Sequence, residues 1–164
     1  MRWHKLLLIC GVFFVLPGCA TDSTAGSPNI SSFAKSNIDD VIELHQQRLM
    51  QDLKTLTIKL YQRNPNQRHD RHLRTLEDSV ARLFIYPANV GFDKWDGFEP
   101  TEIIRLALTE DYDGDRVLAF TVGMRRMLMA SYNNQSEFYY LSSVDQQKLY
   151  NSARNIEIAA WMLA

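Results

Sequence analysis

The chain has 164 residues, with 18 Lys and Arg against 19 Asp and Glu for a net charge of −1, and two cysteines. That length suits one ordinary domain, large enough to bury a core without a structural metal or disulfide. The slightly acidic balance gives no broad electrostatic reason to bind nucleic acid or anionic headgroups.

The N-terminus reads as an address. Met1-Arg-Trp-His-Lys5 is a short basic segment and Leu6–Leu16 an apolar run of about 11 residues, where a membrane span needs about 20. The run ends in Leu16-Pro17-Gly18-Cys19. This resembles the lipobox of bacterial lipoproteins, with an aliphatic residue three before the cysteine and a small residue next to it; Pro17 is a less usual middle residue. The resemblance implies a signal peptide over 1–18, cleavage before Cys19, and an acyl lipid such as palmitate on that cysteine. Cys10 is then discarded and the mature chain keeps no free thiol, disulfide or cysteine metal site. Loss of Arg2 and Lys5 leaves 16 basic against 19 acidic residues, a net −3. In such lipoproteins an Asp after the cysteine marks inner-membrane retention. Ala20 stands there, so the resemblance implies an outer-membrane lipoprotein facing the periplasm. Residues 19–35 are rich in Ser, Thr, Gly and Asn and read as a flexible tether.

Residues 36–164 read as an all-α domain of about five helices. Ile38, Ile42, His45, Leu49, Leu53, Leu56 and Leu60 recur at steps of three and four, predicting a helix over 37–63 with that stripe buried and His45 a core histidine with one hydrogen-bond partner. Ser36 or Asn37 can cap it, and Asn64-Pro65 ends it. The stretch 65–74 is a polar loop, and Thr75 with Asp78 forms a capping pair for a short helix through Phe84. Residues 88–99 read as an ordered aromatic loop, and Pro100 opens a helix through Thr109. Asp115 caps a helix from Arg116 to Tyr132, apolar on several faces and therefore central, which Asn133-Asn134 breaks. Phe138–Leu141 is extended or helical. Ser142 or Ser143 caps the last helix, with Leu149, Ala153, Ile156, Ala160 and Leu163 as its buried stripe. The chain ends inside that amphipathic pattern, without a stop signal, which leaves open a truncated product.

Three stretches, Leu56–Pro65, Gly114–Phe120 and Gln147–Trp161, resemble a group of uncharacterised proteobacterial lipoproteins. That resemblance implies export and a helical body, and carries no activity with it.

Candidate sites have plain structural counterparts. Asp111, Asp113 and Asp115 alternate like the start of a calcium loop, but positions 6 and 12 hold Arg116 and Val122 instead of glycine and glutamate, so an acidic capping turn is the better reading. His69 and His72 stand among three arginines, which disfavours a cation and suggests a solvated basic loop. Arg125, Arg126, Arg154 and Glu157 interrupt apolar helices; Arg154 and Glu157, three apart, predict a structural ion pair in a partly buried network. Phe92, Trp95 and Phe98 are a candidate interaction surface, or else a lid over the core. No catalytic constellation, metal set or cofactor motif emerges.

The leading expectation is a non-enzymatic, membrane-anchored lipoprotein that binds an envelope protein partner or aids envelope assembly. A second is a cell-wall enzyme or its regulator, using a lone acid such as Glu102 or Glu110. A third is a carrier of small apolar ligands, with Met124, Met127 and Met129 lining a cavity. An exposed apolar patch favours the first, an acid in a cleft the second and a closed apolar cavity the third.

Overall fold

A computed structural model describes residues 37–85, 92–139 and 144–163. Cys19 and the rest of 1–36, the first part of the aromatic loop, and Ser142 and Ser143 lie outside those residues. The described residues form five α-helices and no strand: α1 (Asn37–Arg63), α2 (Leu76–Ile85), α3 (Pro100–Ala107), α4 (Arg116–Ser131) and α5 (Gln146–Leu163).

Local chemistry explains where the helices begin and end. The Thr75 hydroxyl accepts the Asp78 amide at 3.1 Å and donates to the Asp78 carboxylate at 2.9 Å, closing the first turn of α2. Pro100 occupies the first turn of α3, where its missing N–H costs nothing, and the Glu102 carboxylate reaches back to the Glu99 amide at 3.0 Å. The helix stops at Ala107, two residues before the predicted end, because the Leu108 and Thr109 amides tighten onto carbonyls three residues back, both at 3.1 Å. Asp115 caps α4 by accepting the Leu118 amide at 2.8 Å. Asn133 and Asn134 end it with φ of 55° and 58°, a left-handed conformation that asparagine tolerates. Asp145 caps α5, accepting the Gln147 and Lys148 amides at 2.9 and 3.2 Å.

α4 is the central helix: from Val117 to Leu128 every residue except Leu118 is buried. Its most extensive contact is with α3, and it also packs on α1 and α5, while α2 packs on α1. The α3–α4 contact depends on Gly123. A methyl group there would lie 2.8 Å from Ile104 Cγ1, 2.9 Å from the Pro100 carbonyl oxygen and 3.0 Å from the Ile104 amide nitrogen.

α1 is 27 residues and about 40 Å long. Its buried face is rotated from the predicted stripe. Asp39, Gln46, Leu53, Thr57 and Tyr61 are buried; Leu49, Leu56 and Leu60 flank the core, while Ile38 and His45 are exposed. Specific polar partners determine this choice. The Gln46 amide donates to the Gln135 carbonyl at 2.6 Å, and the Thr57 and Thr121 hydroxyls pair at 3.0 Å with both residues wholly buried. His45 keeps its one partner, with Nδ1 2.8 Å from Tyr132 Oη, but holds it from the surface. Tyr132 lies edge-on to Phe138, ring centroids 6.0 Å apart, and both are fully buried.

α5 is also rotated. Ser152 and Ala159 are its buried residues and Leu149 and Ile156 are half-buried, whereas Ala153, Ala160 and Leu163 of the predicted stripe face solvent. The interior surface of α4 is crowded, so α5 docks through its smallest side chains and lets the bulkier ones point outward.

Candidate interaction surface

The sequence-derived sites resolve mostly into structural roles. Arg126 donates to the carbonyls of Trp95 at 2.9 Å and Phe92 at 3.2 Å, and lies 3.4 Å from the Asp96 carboxylate. A buried guanidinium thereby pins the aromatic loop to α4, satisfying a charge that burial would otherwise penalise. Consequently Phe92, Trp95 and Phe98 do not present one exposed aromatic face: Trp95 is only 3 % exposed, Phe92 is half-buried, and Phe98 stands out at 50 %. The Trp95 indole Nε1 is buried without a hydrogen-bond partner. Arg125 lies over the Phe84 ring at 5.9 Å, and burial holds its pKa below the ordinary arginine value. Arg154 and Glu157 do pair, but on the open surface, with both side chains more than half exposed.

A cleft of about 220 Å³ opens between α1, α2, the aromatic loop and the 112–115 turn. Tyr61 Oη donates to Asp115 Oδ2 at 2.9 Å. Burial, the largest effect, raises the Asp115 pKa above the ordinary carboxylate value and outweighs the hydrogen bonds from Leu118 N and Tyr61. Tyr61 is likewise raised, by burial and then by the Asp115 charge. Asp70 accepts Ser79 Oγ at 2.8 Å and pairs with Arg74 and Arg82, each at 3.5 Å. Lys94 lies over the Trp95 and Tyr112 rings at 5.5 and 5.3 Å. These polar groups join helices and loops to one another, so the cleft reads as a brace. Asp111 and Asp113 are exposed, as are His69 and His72, and among the described residues no three His, Cys, Asp or Glu gather as metal ligands. Glu102 serves the α3 cap, while the Glu110 carbonyl accepts Arg116. Met124 and Met127 are packed into the core, and Met129 lies 3.7 Å from the Gln46 amide.

The outward face of α5 carries what the helix cannot bury. Trp161 is 82 % exposed, with Ile158, Met162 and Leu163 exposed beside it. Ile158 and Met162, one turn apart, form one wall of an apolar groove of about 240 Å³; Ile104 of α3 and Leu108 just past its end form the other, with Arg105 and Asn155 at its edge. Past Leu108 and Met162 the groove widens into a more polar depression of about 490 Å³, reaching Leu60 and Asn64 at the end of α1. Contiguous exposed apolar side chains around a groove are the usual mark of a protein-docking site, and tryptophan is the residue most often dominant in one. The sequence signal was present in Ile158, Trp161 and Met162, a second apolar stripe at spacing three and four beside the first.

No known protein family, curated protein or solved structure matches this chain.

Proposed function

We propose that this chain is an exported lipoprotein, anchored through lipid on Cys19 to the outer membrane and facing the periplasm. Its helical domain binds an envelope protein partner in the groove between α3 and α5, as an interaction or assembly factor. The observation that carries the partner reading is the apolar groove walled by Ile158 and Met162 of α5, with Trp161 exposed on the same helix. The basic segment, apolar run and Leu16-Pro17-Gly18-Cys19 carry the anchor reading. No described helix is long and apolar enough to cross a membrane. An enzymatic reading is less well supported, since the cleft acid Asp115 already spends its two oxygens on Leu118 N and Tyr61.

Two experiments test the two halves. Cys19→Ser abolishes labelling by a radioactive fatty acid and leaves unprocessed precursor; persistent labelling refutes the anchor. A photoreactive residue at Asn155, on the groove edge, crosslinks in intact cells to one discrete partner, and Ile158→Asp with Trp161→Asp abolishes that crosslink while the thermal midpoint stays unchanged. A crosslink pattern indifferent to both substitutions refutes the groove.

A further inference from the structure

The first two turns of α1 are amphipathic in the wrong sense for a helix bathed in water. Asp39 is buried, Glu43 turns inward to accept the Phe138 amide at 2.8 Å, and Gln46 is buried on the same side. Meanwhile Ile38, Val41 and Leu44 point away from the domain, 71, 64 and 67 % exposed. Steps of three residues spread these aliphatics over about 120° of the circumference and about 9 Å of axis, a compact patch. Farther along the same face the chemistry changes to charge, with Arg48 and Asp52 paired at 3.3 Å. The patch is therefore confined to the end of α1 that follows Cys19 in the chain.

We infer that Ile38, Val41 and Leu44 are a membrane-contact stripe, through which the start of α1 rests on the bilayer leaflet holding the lipid of Cys19. This rests on the anchor reading above. Seventeen residues separate Cys19 from Asn37, a reach of at most about 60 Å when fully extended. An anchored Cys19 thus holds the stripe beside a lipid surface at high effective concentration. The lipid supplies the affinity and the stripe the orientation, so the acidic charge of the domain is no obstacle. Asp40, exposed on the flank, stays among hydrated headgroups. The geometry also separates two surfaces. Asn64, on the rim of the wide depression, lies 23 residues beyond Val41, about 35 Å along the helix axis.

The test uses the full-length, processed protein in vesicles of phosphatidylethanolamine and phosphatidylglycerol, with an environment-sensitive nitrobenzoxadiazole label on Val41→Cys. A label on Lys59→Cys, five turns farther on the same face, is the reference. In protein that floats with the vesicles, the label at 41 emits to the blue of the label at 59 and is quenched by phospholipid bearing a nitroxide high on its acyl chain. Ile38→Ser with Leu44→Ser, both at exposed positions, removes the shift and the quenching without lowering the thermal midpoint. A water-like label at 41 on floating protein overturns the stripe and leaves the anchor standing. A blue shift without nitroxide quenching, reversed by diluting labelled with unlabelled protein, assigns the patch to a second copy and also overturns the inference. Failure to float overturns anchor and stripe together.

Discussion

Replacing Gly123 with alanine adds one methyl group where α3 crosses α4. In an ordinary helix interior that change stabilises by about 0.5–1 kcal/mol, because glycine loses more backbone freedom on folding. Here the new carbon would stand 2.8 Å from Ile104 Cγ1, 2.9 Å from the Pro100 carbonyl oxygen and 3.0 Å from the Ile104 amide nitrogen. Comfortable separations are about 3.5–4 Å, so α3 must retreat by roughly 0.5–1 Å. Two of the three atoms belong to backbone, and no rotamer change can move them. Overpacking of this kind costs about 1–3 kcal/mol, which leaves a net loss of about 0.5–2 kcal/mol after the propensity gain is subtracted. Urea unfolding followed by far-ultraviolet circular dichroism measures it, with a lower midpoint at unchanged slope. Thermal melting should fall by about 2–8 °C. Because Ile104 also walls the groove, the Asn155 crosslink weakens in the same variant. A midpoint that rises, as propensity alone demands, refutes the close α3–α4 approach.

Two further outcomes follow from the packing and the cleft. Ala159→Asp places a carboxylate on the buried face of α5 and exposes the helix to protease, while Ala160→Asp, one residue on and exposed, changes the thermal midpoint little; the reverse order would restore the stripe read from sequence. Asp115→Ala removes a helix cap worth about 1–2 kcal/mol and strands the buried Tyr61 hydroxyl for about 1–3 kcal/mol more, whereas Asp115→Asn retains most of the stability, as denaturant midpoints will show. The raised folded pKa of Asp115 favours its protonated form, so its contribution is full below the ordinary value of 3.8 and is lost as pH rises through the folded value. Melting over a pH series should therefore move in favour of Asp115→Asn as acidity falls, and parallel curves would refute the burial of that carboxyl.

Most of the helix ends were legible from sequence because they are decided by neighbours in the chain. Asn64-Pro65 stops α1 at Arg63, Thr75 with Asp78 opens α2, Pro100 opens α3, Asp115 opens α4, and Asn133-Asn134 closes it. Each rests on contacts within five residues, as does the all-helical class that their sum implies. The central place of α4 was legible for a related reason: a helix apolar on several faces has to be surrounded.

Which face of α1 and of α5 turns inward was decided only by the tertiary structure. Both helices carry apolar residues around more than one stripe, so periodicity alone allows several rotations. The choice fell to partners far away in sequence: Gln135 for Gln46, Thr121 for Thr57, and the close-packed surface of α4 for Ser152 and Ala159. Trp95 turned inward for the same reason, because Arg126, 31 residues later, holds its carbonyl. The groove beside Trp161 is the complement of that choice. Once α5 docks through small side chains, Ile158, Trp161 and Met162 are left outside, since a helix can bury only as much circumference as its neighbours can cover.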